Sequence, residues 1–240
     1  MRPLIYAMGV SLDGYIAGPR GEGDWAAPDA ELHRFHNEQA RELDVHLLGR
    51  RLYEVMAYWE NAEERDPSLP EHELEFARIW KQLPKVVYSA SLNTVAGNTR
   101  LSRGDPVQEV QALKEQAGGP IAVGGATLAA TLTTHGLIDE YQLFVSPVVL
   151  GGGKPFFAGD THVDLELVET RTFSSRVVYL RHRRVSESRA MAVEPMPQIR
   201  KGDAVSATVL YMSMSLDGFI AGPNEGPDNK GESCTLLFSI

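Results

Sequence analysis

The chain has 240 residues, with 23 Lys and Arg against 32 Asp and Glu and a formal net charge of −9. A general nucleic-acid-binding surface needs clustered basic residues, and this excess of acids argues against one. The N-terminus lacks the features of a signal peptide and no apolar run approaches the ~20 residues that span a bilayer, so we expect a cytoplasmic protein without membrane contact. The single cysteine, Cys234, excludes an internal disulfide and is typical of a reducing compartment.

The opening of the chain recurs near its end. Residues 8–19 read Met-Gly-Val-Ser-Leu-Asp-Gly-Tyr-Ile-Ala-Gly-Pro, and residues 212–223 read Met-Ser-Met-Ser-Leu-Asp-Gly-Phe-Ile-Ala-Gly-Pro. A repeat separated by about one domain length predicts a domain over 1–185, a linker over 186–206 and a truncated repeat of the first strand and loop over 207–240. The alternative is that residues 208–214 add a strand to a sheet edge of this domain or of a neighbouring protomer.

Apolar runs rich in β-branched residues alternate with longer amphipathic stretches, which is typical of an α/β domain. The predicted strands are Leu4–Gly9, Val45–Leu48, Lys85–Tyr88, Ile121–Val123, Glu140–Val149, Leu165–Thr172 and Val177–Arg184. The predicted helices are Asp29–Leu43, Arg50–Trp59, Glu71–Gln82, Pro106–Gln116 and Thr127–His135. No helix is predicted after residue 140, so an antiparallel set of strands follows a crossover-connected set, and we expect a mixed sheet.

The first strand leads into Ser-Leu-Asp-Gly, residues 11–14. An Asp-Gly pair after a strand is commonly a turn in which the aspartate caps the backbone. The alternative is a loop that closes over a ligand, with Asp13 lining a pocket and Asp24 and Trp25 adding an acid and an aromatic wall. Glu31, on the next helix, is either a surface residue or an acid that points into the same cleft, where apolar surroundings would favour its protonated form.

Two segments place glycine between a strand and a helix. Gly49 is followed by Arg50 and Arg51, and Gly124 is followed by Gly125. Glycine lets the backbone approach a phosphate closely, and a helix N-terminus presents N–H groups to it. Solvated arginines on a helix surface explain the first segment equally well, and a Gly-Gly pair after a strand is weak evidence alone. With Ser89 and Ser91 after a third strand, the set favours a polyphosphorylated, nucleotide-sized ligand at the carboxyl edge of the sheet. The basic run 181–184 is expected to be a solvated strand end.

Taken together, these segments resemble the dihydrofolate reductase-like superfamily, in the branch of the reductase domain of bacterial riboflavin biosynthesis. The resemblance covers about residues 2–185. The segments that carry it are residues 11–17 (Ser-Leu-Asp-Gly-Tyr-Ile-Ala), 24–25 (Asp-Trp), 48–54 (Leu-Gly-Arg-Arg-Leu-Tyr-Glu), 84–89 (Pro-Lys-Val-Val-Tyr-Ser), 123–126 (Val-Gly-Gly-Ala), 136–140 (Gly-Leu-Ile-Asp-Glu) and 147–157 (Pro-Val-Val-Leu-Gly-Gly-Gly-Lys-Pro-Phe-Phe).

This resemblance implies an NADPH-binding fold with an eight-stranded mixed sheet, often dimeric, that transfers hydride to a pteridine- or pyrimidine-type ring. The backbone of Ala7 would contact the nicotinamide amide, and Asp13, Glu31 and Glu140 are the candidate catalytic acids. The residues implied for the rest of the cofactor are Gly49, Arg50 and Arg51 for its phosphates, Ser89 and Ser91 near the adenosine 2′-phosphate, and Gly124, Gly125 and Ala126, with Thr127 at the helix start, for the pyrophosphate. No metal site is expected.

One position departs from the family. Leu52 stands where relatives usually have threonine, and a missing hydroxyl bond to the cofactor phosphate would cost about 1–3 kcal/mol of binding. A deaminase domain is excluded, because its zinc site needs more than one cysteine. The resemblance therefore implies an NADPH-dependent reductase of a small heterocycle, riboflavin-pathway-like with a phosphoribosyl-pyrimidine as substrate or dihydrofolate reductase-like, acting as a homodimer. The alternative is a catalytically silent nucleotide-binding or dimerisation module of the same fold.

Overall fold

Eight strands form one mixed sheet in the computed structural model, which describes residues 1–159 and 162–185. The order across the sheet is β5-β4-β3-β6-β1-β7-β10-β9, and the short strands β2 and β8 form a separate antiparallel pair. The strands are β1 (Leu4–Ser11), β2 (Tyr15–Ala17), β3 (Val45–Gly49), β4 (Lys85–Tyr88), β5 (Thr99–Ser102), β6 (Ile121–Gly124), β7 (Glu140–Ser146), β8 (Lys154–Pro155), β9 (Leu165–Thr172) and β10 (Val178–Arg184).

Six helices connect these strands: α1 (Ala30–Glu42), α2 (Arg50–Met56), α3 (Ala62–Arg65), α4 (Glu71–Gln82), α5 (Pro106–Glu115) and α6 (Ala126–Thr134). Two short 3₁₀ turns lie at Asp24–Ala26 and Ala57–Glu60. Asp105 caps α5 by accepting a hydrogen bond of 2.9 Å from the N–H of Val107. The linker 186–206, the truncated repeat 207–240 and the strand alternative at 208–214 lie outside the described residues.

The sheet is parallel from β5 to β7 and antiparallel at β10 and β9. Its central strands are buried on both faces, as parallel strands covered by helices must be, and all four residues of β6 are buried. Leu4 and Tyr6 of β1 pack with Val110 of α5 and Leu132 of α6 on one face. On the other face, Ala7 of β1 packs in a cluster with Leu32 of α1.

The mixed sheet and its eight strands confirm the predicted fold. The pattern missed β5, because Thr-Arg-Leu-Ser carries one apolar residue and lies at the sheet edge. The predicted strand 140–149 ends at Ser146, since Pro147 has no N–H to donate to a neighbouring strand. The predicted helix 50–59 ends at Met56 and continues as 3₁₀ geometry. Among the described residues, no helix has both the length and the apolar character needed to cross a membrane.

Candidate functional site

Two glycine-containing turns meet at the carboxyl edge of the sheet. Strands β3 and β6 are parallel neighbours, with Leu48 in register with Gly124. Gly125 follows β6 with φ +98°, and a Cβ at Gly125 would stand 3.6 Å from the Cα and N atoms of Gly49. The backbones of the two turns therefore lie against each other, and the absence of side chains leaves the edge open to a ligand.

A cavity of about 460 Å³ opens beside these turns. Three cationic side chains line it, those of Arg50, Arg51 and Lys154, and no carboxylate lines it within the described part of the chain. Arg50 forms an ion pair of 2.9 Å with Glu54 one helical turn away, and the Lys154 Nζ donates to the Thr127 hydroxyl at 3.3 Å. A cavity with three cations in a protein of net charge −9 is suited to an anionic group.

Helix α6 begins at this cavity. Gly125 is its N-terminal cap residue, and no described side chain caps the first turn. Ala126 is buried and Thr127 lines the cavity, so the start of the helix presents backbone N–H groups at the edge where the cations lie. The structure thus brings together the predicted residues Gly49, Arg50, Arg51, Gly124, Gly125, Ala126 and Thr127.

Ser89 and Ser91 follow β4 at the same sheet edge but do not line this cavity. The Ser89 hydroxyl accepts hydrogen bonds from the N–H groups of Ser91 and Leu92 at 3.2 and 3.1 Å, so it caps a tight turn. Tyr88, the last residue of β4, lines the cavity in their place. The contact predicted for the two serines stays a prediction.

A larger cavity of about 620 Å³ lies between the sheet and helices α1 and α4. Its walls are mainly apolar and aromatic, with Trp59, Phe76 and Phe144 among them, and Ala7 of β1 lines it as well. Leu52 lines both cavities and forms the wall that they share. One elongated molecule can therefore place a charged part in the small cavity and a planar part in the large one.

Glu140 is the one of the three predicted acids that lines the larger cavity. Its buried carboxylate accepts hydrogen bonds of 2.8 and 3.0 Å from Arg181, and Arg183 lies 3.5 Å away. The expectation that the run 181–184 is solvated is therefore wrong for its first half, since His182 is buried and Arg181 binds Glu140. Strand alternation explains this, because Arg181 and Arg183 project to the same face of the sheet as Glu140.

Asp13 does not line either cavity. Its carboxylate accepts hydrogen bonds from the Ser11 hydroxyl at 2.6 Å and from the N–H groups of Leu150 and Gly151 at 3.1 and 2.7 Å. Desolvation raises the pKa of this carboxyl, but these hydrogen bonds outweigh it and hold the pKa below its usual value. Gly14 has the positive φ of +89° that the turn interpretation expects, while the ionised Asp13 joins this turn to the loop at Leu150 and Gly151.

Glu31 also lies outside both cavities, although α1 covers the larger one. Its carboxylate accepts from the N–H and hydroxyl of Ser174, at 3.0 and 2.7 Å, and from Arg171 at 3.0 Å. The hydrogen bonds from Ser174, followed by that from Arg171, lower its pKa to about 2. Nor do Asp24 and Trp25 line a cavity; the Trp25 indole donates to the carbonyl of Glu22 at 3.1 Å.

Three histidines in the larger cavity were not predicted: His33, His36 and His46. His36 of α1 packs its ring 4.4 Å from that of Phe144, and His46 belongs to β3. Burial, followed by the charge of His33, lowers the pKa of His36 to about 4. Burial, followed by the charge of Lys85, lowers the pKa of His46 to about 4. The rings of His36 and His46 are therefore neutral at pH 7. No sequence signal pointed to them beyond a polar residue among the apolar positions of α1 and β3.

The sequence matches the family described as the RibD C-terminal domain over residues 2–179. The chain belongs to this family. It is 33% identical over 181 residues to the protein YyaP of Bacillus subtilis (strain 168), covering 75% of this chain and 93% of that protein. A second Bacillus subtilis protein, YwjB, is 28% identical over 181 residues, covering 73% of this chain and 95% of that protein.

Solved structures of RibD-like proteins share the fold. A putative riboflavin biosynthesis protein from Shewanella sp. PV-4 superposes with a TM-score of 0.60 at 21% identity, covering 78% of this chain and all (100%) of that one. Dihydrofolate reductase from Enterococcus faecalis, in complex with NADP(H), gives a TM-score of 0.50 at 18% identity and covers 77% of this chain and 97% of that one. RibD C-terminal domains thus have the dihydrofolate reductase-like fold, and members of the family are NADPH-dependent reductases.

Proposed function

We propose that this RibD-type domain is an NADPH-dependent reductase that transfers hydride to a pyrimidine- or pteridine-type ring. The observation that carries the proposal is the pair of cavities that share Leu52 as a wall. The small cavity is cationic and the large one is mainly apolar, so together they match a ligand with phosphates at one end and a planar ring at the other.

The residues around the small cavity fit such a cofactor. Arg50, Arg51 and Lys154 would hold its phosphates, while the glycine turns and the first N–H groups of α6 would approach them through backbone alone. Ala7, which lines the larger cavity, would contact the nicotinamide amide through its backbone. When bound, the cofactor supplies the hydride, and the protein supplies orientation and an environment that excludes water.

The three candidate acids form two groups: Asp13 and Glu31 lie outside both cavities, and Glu140 lines the larger one. Asp13 and Glu31 have lowered pKa values and hydrogen-bond partners for their carboxylates, so neither carries a proton to donate at neutral pH. Glu140 lines the cavity, held at a fixed orientation by Arg181. We assign Glu140 the role of orienting the substrate ring, because a carboxylate accepts hydrogen bonds from ring N–H or amino groups.

The test is a titration with NADPH followed by cofactor fluorescence, and then the oxidation of NADPH with a panel of pteridines, pyrimidines and flavins. Arg51→Ala is expected to weaken binding about fivefold to tenfold, with a reduced dependence on salt. Arg20→Ala is the matched control, because Arg20 is exposed and pairs with Glu22 outside both cavities. Absence of saturable binding at millimolar NADPH would contradict the proposal.

The second candidate is a silent nucleotide-binding module, which the leucine at position 52 favours, since it removes the hydroxyl that relatives usually present to the cofactor. This alternative predicts saturable NADPH binding without oxidation of NADPH by any member of the panel. The two candidates therefore differ in the second measurement, and both require the first.

A further inference from the structure

The two cavities differ in the sign of their charge. The small cavity has three cations and no described carboxylate. The described residues that line the larger cavity include four glutamates and one guanidinium, that of Arg181. Glu140 is buried, and Glu38, Glu42 and Glu169 are exposed. Glu140 binds that guanidinium at 2.8 and 3.0 Å and lies 3.5 Å from Arg183. Glu169 lies 3.9 Å from Arg181, so the charge of Arg181 is already compensated.

Histidines do not supply the missing positive charge. His36 and His46 line the larger cavity with pKa values lowered to about 4, and burial lowers the pKa of His33 as well. Near pH 7 their rings are neutral and offer one donor and one acceptor each. An anionic substituent in this cavity would meet no unpaired cation among the described lining residues, and it would face the carboxylates instead.

The shape and surface of the cavity favour a flat ring. Trp59 and Phe76 form an aromatic wall, with ring centroids 5.0 Å apart, and the ring of His36 lies against that of Phe144. Aromatic faces pack well on planar heterocycles, and neutral imidazoles can bond to ring nitrogens and carbonyl groups.

From this charge division we propose that the substrate is a planar heterocycle without a phosphate or carboxylate group, held in the larger cavity that Trp59, Phe76 and His36 line. The inference rests on the proposed function in that it calls this ring the substrate of the reductase. It separates this protein from a reductase of phosphoribosyl-pyrimidines, because a phosphate dianion would stand among carboxylates with no cation to compensate it.

Binding of matched ligand pairs tests this, measured by calorimetry on the full chain with and without NADPH. One pair is pterin and 6-carboxypterin, and the other is 5-aminouridine and its 5′-monophosphate; the members of each pair share a ring and differ in an anionic group. The uncharged member is expected to bind at least about tenfold more tightly, from a Coulomb energy of one to two charges near the rim. Equal or tighter binding of the anionic members, or binding of neither member of both pairs, overturns the proposal.

A second test reverses the charge of one residue that lines the larger cavity. Glu169 lines the cavity and its side chain is exposed, so Glu169→Lys introduces a cation with little disturbance of the core. We expect this variant to narrow the preference for the uncharged ligand by about threefold to tenfold at low salt. Glu115→Lys is the matched control, since it makes the same change of net charge on the exposed end of α5, away from the cavity. An equal shift in both variants overturns the local interpretation.

These measurements distinguish a failure of this inference from a failure of the proposed reductase function. If NADPH binds while the uncharged rings do not, the reductase proposal survives and this inference is wrong. If the uncharged rings bind while NADPH does not, the cavity assignment stands and the reductase proposal is wrong.

Discussion

The carboxylate of Asp13 accepts a hydrogen bond of 2.7 Å from the N–H of Gly151, 138 residues later in the chain. The same two segments are joined again where Gly14 accepts from the N–H of Phe156 at 2.9 Å. The turn after β1 is thus fixed to the segment that carries Lys154, one of the three cations of the small cavity. An aspartate outside the cavity therefore helps to place a residue that lines it.

Replacing Asp13 by asparagine should destabilise the fold. Asp13→Asn keeps the size of the side chain but loses the charge that strengthens the bonds from Leu150 and Gly151. We expect a loss of about 1–2 kcal/mol in the free energy of unfolding, measured by urea denaturation, because the site is partly exposed. Asp24→Asn is the control, since Asp24 is exposed and its side chain bonds to no described residue. An equal loss in both variants would contradict the role given to Asp13.

The effect of Asp13→Asn should also depend on pH. The pKa of Asp13 is lower in the folded protein than its ordinary value near 4, so its contribution to stability is fully present above that value. The contribution is lost as the pH falls through the folded-state pKa. The difference between the wild type and Asp13→Asn should therefore be constant from pH 5 to 7 and shrink below about pH 4. A difference that persists undiminished at the lowest pH where the fold survives would rule this out.

Glu31→Gln should affect stability and not turnover. Glu31 binds Ser174 and Arg171 outside both cavities, and its pKa is lowered to about 2. Its contribution is present above the ordinary value of about 4.5 and declines as the pH falls towards 2. We expect unchanged NADPH oxidation, with a lower thermal midpoint at pH 5–7 that approaches the wild type in acid. A loss of turnover at unchanged stability would restore Glu31 as a catalytic acid.

The sequence predicted which residues meet at the small cavity, because the carboxyl ends of parallel strands lie at the same edge of a sheet. That rule alone brings Gly49 together with Gly124 and Gly125, without knowledge of any side-chain contact. It could not give the orientation of Glu31, since a shift of one residue turns a helical side chain by about 100°. Leu32 and His36, one turn apart, face the sheet, so Glu31 points elsewhere and meets Arg171, which is 140 residues away. A contact between residues 140 positions apart leaves no periodic pattern in the sequence around either residue.

Gly125→Ala and Gly49→Ala should behave differently. Gly125 has φ +98°, which an alanine adopts only with strain, so we expect a loss of about 1–3 kcal/mol in the free energy of unfolding. Gly49 has φ −74°, and an added Cβ would meet only the carbonyl oxygen of Gly124 at 3.8 Å, so Gly49→Ala should fold with nearly normal stability. Chemical denaturation of the two variants measures the difference. Equal losses would mean that backbone strain is not the cause.

Leu52→Thr should strengthen NADPH binding. Leu52 lies on α2 in the wall between the two cavities, beside Arg50 and Arg51, where a threonine would present a hydroxyl to the phosphates of the proposed cofactor. One added hydrogen bond is worth about 0.5–1.5 kcal/mol, which corresponds to a gain of about threefold to tenfold in affinity. Leu52→Val is the control, because valine has nearly the shape of threonine but carries no hydroxyl. A similar gain in Leu52→Val would assign the effect to space rather than to a hydrogen bond.

The half-buried histidines of the larger cavity should make the fold sensitive to mild acid. His36 and His46 titrate at about 4 in the folded protein, whereas an unfolded histidine titrates near 6.5. Between these values the unfolded chain binds protons that the folded protein does not, so stability is full above about pH 6.5 and falls as the pH is lowered towards 4. Each histidine contributes a slope that approaches about 1.4 kcal/mol per pH unit, and His33 and His182 shift in the same direction. His46→Gln should therefore reduce the slope of unfolding free energy between pH 6.5 and 5 relative to the wild type. An identical slope in His46→Gln and the wild type would show that the His46 ring takes no part in the acid sensitivity.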